Sequence, residues 1–198
     1  NAKLTGRRIL NGSNLYGIRL IGSGVTVALQ ESTFSENTSH GILVENSQSL
    51  NMEKVNVLNS GGHGIRVIGK TLLTLTEVQL NQSKGDGIHV NVEADETADV
   101  RLDTVQIRGN GESGIEYRSA NPASFLWMTE SLIVDNDTFG LYIAGKSTSI
   151  SLGHLKPANN VLEDNGSTYL VDARDAGTGT ILANGTDFAT AGILTNAS

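Results

Sequence analysis

Apolar positions recur along this chain on a long ruler. The dipeptide Gly-Ile appears at Gly17-Ile18, Gly41-Ile42, Gly64-Ile65, Gly87-Ile88 and Gly114-Ile115. Gly140-Leu141 continues the series, Tyr169-Leu170 is a degenerate copy and Gly192-Ile193 closes it. Steps between the apolar anchors are 24, 23, 23, 27, 26, 29 and 23 residues. Such self-similarity is the sequence mark of a solenoid. Two residues after the anchor come Leu20, Val44, Val67, Val90, Tyr117 and Ile143, and eight before it Leu10, Phe34, Val57, Leu80, Ile107, Ile133 and Leu162. Thirteen before it come Leu29, Met52, Leu75, Leu102 and Met128, and fifteen before it Val27, Leu50, Leu73, Val100, Leu126 and Leu155. Spacings of two are the strand period, so each repeat predicts about three short strands with alternate residues inward. Five residues before each anchor stands a turn former: Ser13, Asn37, Ser60, Ser83, Asn110, Asn136, Asn165. Asn tolerates the left-handed backbone, and both types bond to nearby main chain.

These columns resemble the right-handed parallel β-helix superfamily, the group that includes pectate lyases and polygalacturonases. The resemblance covers nearly the whole chain and implies one all-β domain over residues 1–198. This is a right-handed parallel β-helix (β-solenoid) of about eight coils with three short strands per coil. At about 4.8 Å per coil the rod is about 40 Å long. No single enzyme family is matched.

Composition agrees with stacked small aliphatics: aromatics are 5%, Pro numbers 2 and Gly numbers 23. With no Cys there is neither a disulfide framework nor thiolate chemistry. A net charge of −7 with scattered basic residues argues against nucleic acid as a partner. No apolar run has the length of a membrane helix. The sequence opens on Asn1 and is read as a processed chain or a fragment of a longer one.

The two longest steps inside the regular region put extra residues at one corner of consecutive coils, roughly 91–98 and 118–124. Loops on one edge of a solenoid often wall a groove. Glu93, Asp95, Glu96 and Asp99 make the first loop acidic, a candidate Ca²⁺ site because hard cations take clustered oxygens. Trp127, between inward Leu126 and Met128, is expected to face outward in line with Arg101, a candidate pair for stacking on a sugar or a partner.

Two residues before the anchor, successive coils carry Tyr16, His40, His63, Asp86 and Ser113; one after it they carry Arg19, Leu43, Arg66, His89 and Glu116. His63, Arg66, Asp86, His89 and Glu116 are therefore the candidate acid–base residues. Gly62-His63-Gly64 is similar to a polygalacturonase signature. It precedes Asp86-Gly87-Ile88, however, whereas those enzymes place the Asp motifs first, and the chain has no adjacent Asp-Asp pair. The slot before Gly-Ile also accepts Tyr, Asp, Ser and Phe, and so reads as a permissive corner. The expected role is a non-catalytic extracellular or cell-surface solenoid with a structural, adhesive or self-assembling task, joined to copies of itself or to neighbouring domains through open ends. The alternatives are a lyase, hydrolase or epimerase on an acidic polysaccharide, and a glycan-binding module. No cofactor is required, Ca²⁺ excepted. Sequons at Asn11, Asn37, Asn81, Asn136, Asn165, Asn184 and Asn196 fit a glycosylated surface.

Overall fold

The structure is a computed structural model of the chain. It describes residues 2–145, 149–151, 160–166, 171–175, 181–182, 186–187 and 193–194. Every regular element among them is a strand. The first two turns are β1 (Ala2–Arg7), β2 (Leu10–Gly12), β3 (Ile18–Ile21), β4 (Val25–Gln30), β5 (Thr33–Ser35) and β6 (Ile42–Glu45). Next come β7 (Ser49–Glu53), β8 (Asn56–Leu58), β9 (Ile65–Ile68), β10 (Thr71–Thr76), β11 (Gln79–Asn81) and β12 (Ile88–Val92). They are followed by β13 (Ala98–Asp103), β14 (Gln106–Arg108), β15 (Ile115–Ser119), β16 (Phe125–Thr129), β17 (Leu132–Val134) and β18 (Leu141–Ala144). The series ends with β19 (Ser149–Ser151), β20 (Asn160–Glu163), β21 (Val171–Asp175), β22 (Ile181–Leu182), β23 (Thr186–Asp187) and β24 (Ile193–Leu194).

Every third strand pairs in parallel, giving three sheets: A from β1 to β22, B from β2 to β23 and C from β3 to β24. The fold is thus the expected parallel β-solenoid. The described residues complete about six turns, against eight expected, and the strands of the last rungs carry each sheet to eight strands. The inward columns stack copy on copy. Ile42, Ile65, Ile88, Ile115 and Leu141 are fully buried, as are Val27, Leu50, Leu73, Val100 and Leu126. Each such aliphatic contributes roughly 1.5–3 kcal/mol, which explains how so few aromatics suffice. Tyr117 lies inside as well, and its hydroxyl donates to the Ala98 carbonyl at 2.8 Å.

Three members of the expected columns are displaced, by one residue at Leu10 and Leu170 and by five at Leu155. Asn11, not Leu10, pairs with Phe34, and Leu10 is 84% exposed, because the first corner is one residue shorter than the next. Leu126 pairs with Ile150 rather than Leu155, and Leu141 with Val171 rather than Leu170. Leu155, Tyr169, Leu170, Gly192, Asn184 and Asn196 lie outside the described residues. A further buried column, Val55, Val78 and Val105, went unread because the same slot holds Ser32 and Ser131 in other turns. There the hydroxyl does the work of filling the slot by accepting a main-chain N–H, from Ile9 at 3.0 Å and Val105 at 3.1 Å.

The anchor glycine has a steric cause. A Cβ on Gly41, Gly64, Gly87 or Gly114 would lie 2.6–2.7 Å from the carbonyl oxygen of the same glycine one turn on. The turn formers are also more than loop residues. The left-handed residue stands one place earlier, at Glu36, Asn59, Gln82, Gly109, Asp135 and Asp164, with φ of 50–64°. In the shortened first corner Ser13 itself takes that conformation. Asn110 and Asn136, in the next slot, are buried and form a ladder. The amide of Asn110 donates to Asn136 at 2.8 Å and that of Asn136 to Asn165 at 2.8 Å. Ser60 and Ser83 interrupt this ladder, leaving both amide atoms of Asn37 buried without a partner.

Gly87→Ala is expected to cost about 1–3 kcal/mol by overpacking, read as a lowered urea midpoint. Gly109→Asn, at a left-handed slot filled by Asn59 elsewhere, should be nearly neutral. The double change Ser60→Asn with Ser83→Asn continues the amide ladder to Asn37 and is expected to raise stability by about 1 kcal/mol, checked by thermal unfolding.

Candidate functional site

The corner between sheets B and C presents the slot two residues before the anchor. Its occupants are not interchangeable polar residues. His40 Nδ1 accepts the main-chain N–H of His63 at 3.0 Å, His63 Nδ1 accepts that of Asp86 at 2.9 Å, and Asp86 Oδ1 accepts that of Ser113 at 2.8 Å. Each side chain caps a donor one turn on, which a buried N–H requires. Glycine makes the approach possible: a Cβ on Gly62 would sit 2.6 Å from His40 Nδ1, and one on Gly85 2.5 Å from His63 Nδ1. The slot therefore selects an acceptor in these turns, which corrects its reading as a permissive corner. The rings stack as a result, His40 on His63 at 5.2 Å and 11°, His63 on His89 at 4.4 Å and 22°.

Main-chain donors also determine the tautomers. A neutral imidazole has one lone pair, and at His40 and His63 it lies on Nδ1, so the proton is on Nε2. His63 Nδ1 is also 3.3 Å from Asp86 Oδ2. It cannot both accept the Asp86 N–H and donate to that carboxylate; the shorter main-chain bond decides. His89 is the opposite case. Its Nδ1 lies 2.9 Å from Asp86 Oδ2 and 3.6 Å from Glu116 Oε1, so it donates to Asp86 and leaves the lone pair on Nε2. Asp86 is wholly buried. Burial alone would raise its carboxyl, but the hydrogen bonds from His89 and the Ser113 N–H hold it below the usual range. Burial, followed by the charges of His63, Arg66 and His89, pushes His40 down to about 4.

Register places Arg66, His89 and Glu116 side by side on sheet C. The structure thus brings together His63, Arg66, Asp86, His89 and Glu116, as the columns require. Glu116 is bound by Arg118, a residue the sequence reading did not single out, whose guanidinium also covers the Tyr142 ring at 5.1 Å. Its signal was legible as the outward column Asn91–Arg118. Chemically, the patch offers one imidazole lone pair oriented by a buried carboxylate, the form a general base takes. It does not offer a free second carboxylate for hydrolysis, since Asp86 and Glu116 are both engaged.

His63, Asp86 and His89 each bring a ligand-type atom within 4.8 Å of the others. The donor set fits an ion poorly, because the His63 lone pair points at an N–H and the two rings are nearly parallel, so their in-plane lone pairs do not converge. The acidic loop gathers no such group. Glu93 and Asp95 are exposed, and Asp99 faces Arg101 at 3.9 Å. Trp127 is half-buried on the outer face of sheet A, paired in register with Arg101. The loops after β12 and β15 stack on each other, the Asn121 amide donating to the Ala94 carbonyl at 3.0 Å. Two sequons are structural: Asn37 and Asn136 are buried, the latter in the amide ladder, and both are closed to modification in the folded chain.

The family described as a right handed beta helix region matches residues 16–187. Neither a curated protein nor a solved structure matches the chain.

A pH dependence follows from His40. Its pKa in the fold, about 4, lies below that of an unfolded histidine, about 6.5. Between these values the unfolded chain takes up the proton and the fold does not, so stability is complete above about pH 6.5 and declines toward pH 4. The expected loss is on the order of 1–2 kcal/mol after discounting for solvent at the half-exposed ring. His40→Asn keeps an acceptor near the place of Nδ1 without titrating, and should flatten this part of the profile in urea unfolding at stepped pH.

Proposed function

Because the chain belongs to the right-handed β-helix family, we propose that it serves as a non-catalytic structural rod at the cell surface, assembling end to end through its first turn. One observation carries this reading. The large apolar side chains exposed among the described residues are Leu4, Leu10, Leu15 and Ile21, all in the first turn. They sit beside β1, β2 and β3, each of which pairs along one side only. A parallel edge flanked by apolar side chains is a template for another strand, from a second copy or from a neighbouring segment of a longer chain. Charge supports a head-to-tail contact: residues 1–30 carry four basic and no acidic side chains, whereas residues 160–198 carry five acidic and one basic. A heterologous contact of this kind does not close, and repeats into a filament. The histidine stripe supports the non-catalytic part, since the His40 and His63 lone pairs serve the main chain and His89 has no free carboxylate beside it.

Glycan binding is the second reading, favoured by one alignment. Ala28, Asn51, Thr74, Arg101 and Trp127 form a single outward column, and its first three members line a shallow groove of about 290 Å³. A chain of sugars laid along the rod would meet small polar side chains and then an indole face.

Light scattering and negative-stain microscopy across protein and salt concentration test the assembly. Rods that lengthen with concentration and shorten as salt screens the ends are expected, and Leu10→Glu with Leu15→Glu should return them to single units. A monodisperse compact particle under every condition would refute the proposal. Saturable binding of neutral oligosaccharides, abolished by Trp127→Ala, would establish the second reading.

A further inference from the structure

The ladder that engages Nδ1 of His40 and His63 leaves their Nε2–H groups without acceptors. The rings are nearly parallel and hold their Nδ1 atoms alike, so both Nε2–H groups point the same way, out of the coil. Arg66 Nη1 lies 3.3 Å from His40 Nε2. With the His40 lone pair already taken, this contact sets one donor against another, because a guanidinium has no acceptor. Arg66 Nε is buried and likewise has no partner.

Nearby carboxylates do not answer these donors. Glu45 faces Arg19 at 3.4 Å, Glu116 is held by Arg118, and Asp86 serves Ser113 and His89. Beneath the guanidinium, Leu43 is the register neighbour of Arg66 and is buried although it points away from the core. The place therefore holds a guanidinium and ring N–H donors that no carboxylate answers, beside the apolar side chain of Leu43. Strong charge-assisted bonds form where an oxyanion completes such a set.

We infer that Arg66 and the Nε2–H of His40 form a binding site for a small oxyanion group, a carboxylate or a phosphate, carried by a ligand or a partner chain. The oxyanion enters between Nη1 and Nε2, accepts from both, and turns a donor–donor contact into two bonds to one group. His63 supplies a third donor from the next turn. Arg66 is the specific element, because its planar fork matches an oxyanion in a way a lysine does not. The site is built by the second and third turns, and its donors are not groups that the assembly proposed above uses.

Nitrogen-15 spectra of the protein with labelled histidine and arginine test this directly. His40 and His63 are expected as Nε2–H tautomers at neutral pH. Inorganic phosphate and sodium acetate, titrated at ionic strength held constant with sodium chloride, are expected to move the Arg66 Nε–H and His40 ring signals saturably. Arg66→Gln should weaken this by about tenfold or more, and Arg66→Lys should restore it only in part. A response to phosphate alone assigns a phosphate-bearing ligand, and a response to both assigns oxyanions generally. A His40 proton on Nδ1, or no saturable shift beyond that of chloride, overturns the proposal. Both readouts use the unaltered protein, so a variant that fails to fold leaves the test intact.

Discussion

Every feature of this molecule depends on one constraint: each main-chain N–H in a strand or corner must find an acceptor one turn away. Parallel pairing supplies it in the strands, with successive turns about 4.8 Å apart. In the corners main-chain bonds also run from turn to turn, as from Gly61 to Asn37 and from Gly62 to Ser39 at 2.7 Å, and side chains serve the donors these leave over. Asn136 and Asn165 do so at one corner, accepting the N–H groups of Asn110 and Asn136. His40, His63 and Asp86 do so three places further along the same corner. Stacking then forces each slot to face its own copy, and the choice of residue is made column by column rather than residue by residue. The anchor glycines follow from the same rule, because the carbonyl of the next copy occupies the space a Cβ would need.

That constraint explains which parts of the fold were legible in the chain. Apolar columns are legible because the inward slot tolerates only a narrow range of volume, and a copy every turn repeats the signal. Leu10 and Leu170 misled because counting back from an anchor assumes corners of constant length, and the first and seventh corners differ by one residue. The Val55 column was hidden by Ser32 and Ser131, which fill the slot by hydrogen bonding rather than by volume. The histidine slot was legible as a column and illegible as a role. Tyr, His, Asp and Ser share no polarity scale, and what unites His40, His63 and Asp86 is a lone pair at one distance from the backbone.

The same reasoning separates structure from chemistry in the stripe. A histidine beside an aspartate is the usual sign of acid–base work, yet His63 is linked here to the Asp86 main-chain N–H and not to its carboxylate. The residue that resembles a catalytic base is His89, whose Nδ1–H is held by Asp86. It lacks a second free carboxylate beside it, because Arg118 holds Glu116. An imidazole with a free lone pair and an unpaired guanidinium bind more readily than they cleave.

Ladders of side-chain acceptors also have a direction. A primary amide such as Asn136 accepts from one turn with its oxygen and donates to the next with its nitrogen, so the ladder closes on itself and exposes nothing. An imidazole accepts with Nδ1 but carries its proton on the far side of the ring, where the next turn cannot use it. A histidine ladder must therefore display a row of donors at its surface, one per turn, however well its inner side is satisfied. Asn at positions 40 and 63 would serve the main chain equally well and leave no such row. Histidine beside Arg66 has a consequence at the surface that the fold alone does not require, which is why the oxyanion site is proposed on this face rather than in the acidic loop after β12.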